Sequence, residues 1–185
     1  NQGGWYQLGF SGLTNALSAG GTGMTVMFVA RYNGYSNYNY YPLVASPNYS
    51  YWMIGGAQGY LGYCRPYAWV GGNGGANSPP LSGMDQNWHI FTLTIYNSYW
   101  AACWQDGKLV VEGAPDTSNG QFVVPTTISA GGYYSSHYTG MDLAELMVFD
   151  RPLASHERVA SEQYLQNKFA LVGTGKSYLP ASLVS

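Results

Sequence analysis

Charge is what this chain has least of. Of its 185 residues, 9% are Asp, Glu, Lys or Arg, against about 25% in an ordinary soluble domain. Residues 1–84 carry only Arg31 and Arg65, with no carboxylate at all. A net charge of -2 offers no basic field to nucleic acid or to an anionic lipid surface. No apolar run reaches the roughly 18 residues that a membrane-spanning helix needs, so no membrane insertion is expected. Asn1 to Phe10 has neither the basic start nor the apolar stretch of a signal peptide, so an exported form would have lost that segment or would carry it in a longer precursor. There is no Gly-x-Ser-x-Gly elbow, phosphate loop or dinucleotide fingerprint. His89, His137 and His156 show no metal-ligand spacing with one another or with a cysteine.

Apolar residues and tyrosine are plentiful. The apolar content of 46% is enough for a real core. Eleven of the 18 tyrosines precede residue 68, and five lie in Arg31-Tyr32-Asn33-Gly34-Tyr35-Ser36-Asn37-Tyr38-Asn39-Tyr40-Tyr41. Tyrosine gives a binding surface an apolar face and a hydroxyl at small entropic cost. It also fills the sheets of ordinary β-rich domains, and the sequence leaves both readings open.

Short apolar runs alternate with Gly/Asn/Ser/Pro turns. Met24 to Arg31 is almost continuously apolar and suits a central strand; Leu43 to Ala45, Tyr51 to Ile54 and Tyr60 to Val70 follow. The stretch 71–80 reads as a loop, and strands recur at 88–96, 99–105, 108–112, 121–124, 127–130 and 141–149. Phe91, Leu93 and Ile95 should form one buried row with apolar residues of 24–30 and 143–149. One helix is expected near 155–169, with Ser155 as N-cap, Glu157 in its first turn and Lys168 near its end. Leu165 and Phe169 would share its buried face with Val159.

Three runs fit together as a pattern: Trp88-His89 opening a strand, Asp106-Gly107 closing the next, and Gly140 to Phe149 with a central Glu145, leading through Asp150-Arg151-Pro152-Leu153 into the helix. Their order and spacing resemble the laminin-G-like branch of the concanavalin-A-like lectin-glucanase jelly rolls, over roughly residues 5–170. The resemblance implies an all-β, two-sheet antiparallel jelly-roll sandwich with one short C-terminal helix. It would occupy 1–172, with 173–185 as a tail or linker.

Several jelly-roll relatives are glycosidases, which need two carboxylates flanking the scissile bond. The glucanase pattern Glu-x-Asp-x-x-Glu finds Gly140 where its first Glu should be. Asp142 and Glu145 are three apart, so a regular strand would send them to opposite faces. The expectation is therefore no enzyme and no catalytic residue, with Glu145 satisfied by backbone groups and Asp142 at a strand end. No cofactor is implied except calcium, which such folds often bind at a sheet edge. Asp85, Asp116 and Asp142 are the carboxylates that could serve it, although no Asp-x-Asp cluster marks a site.

Recognition remains. A binder of neutral sugars combines aromatic faces with uncharged hydrogen-bonding groups. Tyr35, Asn37, Tyr38 and Tyr40 in one loop, and Tyr133, Tyr134, His137 and Tyr138 in another, supply both kinds. Trp100 and Trp104 share a strand face by parity, as Trp88, Ile90, Thr92 and Thr94 do on the neighbouring strand. The expected role is a carbohydrate-binding or adhesion module at an extracellular, cell or virion surface, its partner a neutral glycan or a protein surface. The alternative is a structural or decoration subunit of a larger particle. Cys64 and Cys103 lie in separate strands and allow one disulfide or two buried thiols.

Overall fold

A computed structural model describes residues 6–9, 23–36, 40–45, 53–57, 64–65, 87–97, 100–113, 127–134 and 137–171. Eleven strands and one helix occupy them. The strands are β1 (Tyr6–Gly9), β2 (Met24–Ser36), β3 (Tyr40–Ala45), β4 (Met53–Ala57), β5 (Cys64–Arg65), β6 (His89–Asn97), β7 (Trp100–Gln105), β8 (Lys108–Gly113), β9 (Thr127–Ala130), β10 (Gly132–Tyr134) and β11 (His137–Phe149); the helix is α1 (Ser155–Lys168). They form a five-stranded sheet of order β1-β9-β3-β4-β5 and a six-stranded sheet of order β10-β11-β2-β6-β7-β8. Every pairing is antiparallel.

The centre of the six-stranded sheet is buried on both faces, which is why Met24 to Ala30 is apolar at every position but Thr25. On one face Phe28 stacks on Phe91 with ring centroids 5.0 Å apart, and Met24, Val26, Leu93 and Ile95 bury beside them. The expected row of Phe91, Leu93 and Ile95 is present. Its β11 partners differ: Leu143 is exposed, and Leu146 to Phe149 are half-buried. On the opposite face Met27, Val29 and Ile90 cluster with Leu153 and Leu165 of the helix segment. The threonines there are sealed but satisfied: Thr25 Oγ1 lies 3.3 Å from Thr94 Oγ1 and accepts the Leu153 N–H at 3.0 Å.

Cys103 points away from the helix face, since its register partner is Leu93, and it is disulfide-bonded. The chain has one other cysteine, Cys64 on β5. The bond therefore ties the six-stranded sheet to the five-stranded one. The sheets also meet where β3 lies against β10 and β11. Gly23 is a site that only glycine fits: its φ is +96°, and a Cβ would sit 1.7 Å from the carbonyl oxygen of Ile95.

The helix starts one residue off its expected cap. Ala154 occupies the N-cap position, and Ser155 is the first helical residue. Glu157 takes over the cap's role, accepting the Ala154 N–H at 2.9 Å. Leu165 is fully buried, whereas Val159 and Phe169 are half-buried. The position the pattern hides is Glu162, only 4% exposed. It chelates Arg158 at 2.7 and 2.6 Å and accepts from Thr92 Oγ1 at 2.8 Å. That pair docks the helix on β6. No helix described here is long and apolar enough to cross a membrane.

Candidate functional site

The residues that carry the sequence pattern hold the fold together. Asp106 and Gly107 both adopt positive φ, 51° and 76°, the signature of a type I′ hairpin turn. The Asp106 carboxylate then reaches back across the pair: Oδ2 lies 2.6 Å from Nδ1 of His89, and Oδ1 accepts the Ile90 N–H at 3.0 Å. His89 is 1% exposed, and the Gln105 amide lies 3.1 Å from the same ring nitrogen. The Asp150-Arg151-Pro152-Leu153 corner works similarly. Leu153 plugs the core, and Arg151 forks onto Glu157 with two contacts of 2.7 Å. That fork, with the Ala154 N–H bond, lowers the Glu157 pKa to about 2.

The carboxylates of β11 overturn the parity argument made from sequence. Asp142 pairs with Arg31, yet Glu145 pairs with Val29, because Ala144 is an extra residue between them. A bulge of this kind advances the alternation by one, so Asp142 and Glu145 share the helix-side face. Each is held by a cation. Asp142 Oδ2 lies 2.7 Å from Nε of Arg31, and Glu145 Oε2 lies 2.6 Å from Nζ of Lys168. Glu145 thus rests on a side chain rather than on backbone groups. The hydrogen bonds that Lys168 donates to Glu145 and Tyr164 raise its pKa above its ordinary range. Of the calcium candidates, Asp142 is already salt-bridged, while Asp85 and Asp116 lie outside the described residues. Among the described residues no group of three His, Cys, Asp or Glu is placed to hold a metal.

The two Tyr-rich segments are strands rather than loops. β2 continues to Ser36 and β3 begins at Tyr40, which leaves only 37–39, with Asn37 and Tyr38, outside the described residues. Likewise Tyr133 and Tyr134 belong to β10, and His137 and Tyr138 open β11. Backbone pairing brings these segments together. Gly132 faces Tyr138, Tyr134 faces His137, and Thr139 faces Ser36. The order β10-β11-β2 therefore sets Tyr133, Tyr134, His137, Tyr138 and Tyr35 at one end of one sheet, with neighbouring strands about 4.8 Å apart. Tyr40 opens β3, which contacts β10 and β11 from the second sheet.

Trp100 and Trp104 lie at the other end of that sheet. Trp100 faces Asn97 near the start of β2, where Met24 pairs with Ile95. Tyr35 is eleven residues further along β2, roughly 35 Å away at 3.3 Å per residue. One small ligand cannot touch both groups. Within the tryptophan group, Trp104 is half-buried with Arg158 4.4 Å from its ring centroid, so one face of that ring is taken. Trp100 is 43% exposed. Tyr96 is half-buried beside them, and burial raises its hydroxyl pKa against the opposing charge of Arg158. Sequence reading passed over Tyr96 and Glu112, which joins this face opposite Ala102; no residue pattern marks either position.

No known family model matches the chain, and no curated protein matches it in sequence. Its fold does have solved relatives. The binding domain of botulinum neurotoxin DC in complex with SialylT is similar at a TM-score of 0.53 and 17% identity, over 88% of this chain and 43% of that one. The same toxin's binding domain in complex with rat synaptotagmin II gives 0.53 and 16%, over 88% and 43%. A Trypanosoma rangeli sialidase in complex with 2,3-difluorosialic acid gives 0.53 and 14%, over 83% of this chain and 24% of that one. The chain thus spans about two fifths of the toxin domains and about a quarter of the sialidase. At such identities the likeness is one of fold.

Proposed function

We propose that the chain is a non-catalytic recognition module on a concanavalin-A-like jelly-roll sandwich of the laminin-G-like kind. It binds a neutral glycan at an extracellular, cell or virion surface. The observation that carries this reading is the strand order β10-β11-β2, which gathers two Tyr-rich stretches distant in sequence at one end of one sheet. A neutral sugar offers no charge to pair with, so its binder needs stacking faces and uncharged hydrogen-bonding groups. The segments at this end supply Tyr, Ser, Asn and His. The solved neighbours lend support at the level of class, since the toxin domains are binding domains, one in complex with SialylT and one with a protein.

The non-catalytic part rests on how the β11 carboxylates are used. The bulge gives Asp142 and Glu145 a common face, but Arg31 and Lys168 engage them. A glycosidase needs two carboxyls presented to the scissile bond, whereas both of these are occupied by cations of the protein itself. Turnover of a polysaccharide that Glu145→Gln abolishes in a folded protein would refute this.

The test is a glycan array with and without calcium. Tyr133→Ala/Tyr134→Ala/Tyr138→Ala should weaken a glycan hit about tenfold or more, as loss of central aromatic anchors does. Binding should change little with salt, because few charges are involved. Unchanged affinity in the triple variant places the site elsewhere. No glycan bound, with self-assembly of the purified chain, favours a structural subunit instead.

A further inference from the structure

Among the described residues, three cations sit against a carboxylate and over an aromatic ring at once. Arg31 lies 5.0 Å from the Trp88 ring and 2.7 Å from Asp142. Arg158 lies 4.4 Å from the Trp104 ring and 2.6 Å from Glu162. Lys168 lies 5.5 and 5.4 Å from the Tyr164 and Phe169 rings and 2.6 Å from Glu145. The outer face of β7 and β8 repeats the aromatic and the carboxylate without the cation. Glu112 pairs with Ala102, two residues from Trp100 on the same face of β7, a diagonal placement about 7–8 Å away that long side chains bridge. Trp100 is 43% exposed and Glu112 is exposed.

Neither Arg158 nor Lys108 pairs with Glu112. Arg158 is chelated by Glu162. Lys108 faces Gln105, Leu109 faces Trp104 and Val111 faces Cys103, so Val110 is a bulge that sends Lys108 to the opposite face from Leu109 and Glu112. With Arg158 held by Glu162, no ion pair engages Glu112 among the described residues, and it lies beside an open indole.

We propose that Trp100 and Glu112 form a receptor for an arginine side chain of a partner protein. A guanidinium stacks flat on an indole while forking onto a carboxylate. Among the described residues, both tryptophans under a cation carry an arginine. A free small cation would gain only a few-fold on so open a ring. A side chain delivered by a protein also brings contacts for Leu109, which is 44% exposed on the same face. The site is at the far end of the sheet from the Tyr-rich segments, so the outcome for glycan does not decide it.

The experiment follows the Trp100 indole N–H of the full chain by NMR, assigned through Trp100→Phe. The probes are the peptide acetyl-Gly-Arg-Gly-Arg-Gly-amide, its citrulline analogue and methylguanidinium. The arginine peptide should shift the Trp100 signal saturably, more weakly as salt rises, and the citrulline peptide should not. Glu112→Gln, checked for an unchanged circular dichroism spectrum, should weaken the peptide about threefold. An unmoved Trp100 signal, an equal response to citrulline, or full affinity in Glu112→Gln overturns the proposal. Methylguanidinium binding as tightly as the peptide would overturn the protein as its source.

Discussion

Removing the disulfide is the perturbation whose size is easiest to work out. The bond from Cys103 closes a loop of about 40 residues back to Cys64. In the chain-entropy model such a loop withholds about 13 cal/mol/K from the unfolded ensemble, or about 4 kcal/mol at 25 °C. For a domain of this size each kcal/mol corresponds to about 2–4 °C in Tm, so the double variant Cys64→Ser/Cys103→Ala should melt roughly 8–16 °C lower. Because Cys103 is fully buried, reductant should act slowly on the folded protein and quickly once denaturant opens it. The assay is thermal unfolding by circular dichroism of the parent, the reduced parent and the double variant, with thiol counting alongside. The urea m-value should also rise, since the uncrosslinked chain exposes more surface. Equal melting temperatures for parent and double variant, or free thiols in the native parent, would refute the reasoning.

Other expectations follow from single contacts. Phe91→Ala removes one ring of the Phe28–Phe91 stack and should cost about 3–5 kcal/mol in chemical denaturation. Glu162→Gln leaves Arg158 buried without its counter-charge and should cost about 3–5 kcal/mol, whereas Arg158→Met/Glu162→Leu should recover most of it. Glu157 titrates at about 2 in the folded protein, below its ordinary 4.5. A depressed carboxylate contributes stability that is fully present above the unfolded pKa and lost as pH falls through the folded one. That contribution should fade between about pH 4.5 and 2. NMR titration should find the Glu157 value moving back toward normal in Arg151→Met.

Much of the C-terminal half was legible because β6 keeps simple alternation through its buried stretch and its turn and helix signals are local. His89 to Asn97 places Phe91, Leu93 and Ile95 on one face, and Asp-Gly at 106–107 dictates a hairpin whatever surrounds it. The 14 residues of the helix announce themselves by an acidic first turn, a basic last turn and spaced apolar positions. The Tyr-rich segments were misread as loops because Asn33, Gly34 and Ser36 are turn formers locally. Pairing with β11 overrides that preference, and long-range pairing leaves no local trace. Nothing in the sequence neighbourhood of Glu162 reveals that Thr92 and Arg158 await it. The candidate ligand residues were legible only as composition. Their gathering at one end of a sheet depends on strand order, which residue types do not encode.

The extra residue in β11 has a consequence for anyone editing this strand. Ala144 acts as a phase slip. Positions before it and positions after it obey the same two-residue rhythm, counted from different origins. A substitution chosen by extrapolating odd and even across residue 144 would land on the wrong side of the sheet. Deleting Ala144 would do the converse. It would leave Asp142 against Arg31 while turning Glu145 away from Lys168, so the last turn of the helix would lose its tether to the strand. One residue with no polar group of its own thus decides whether two acids sit side by side or back to back.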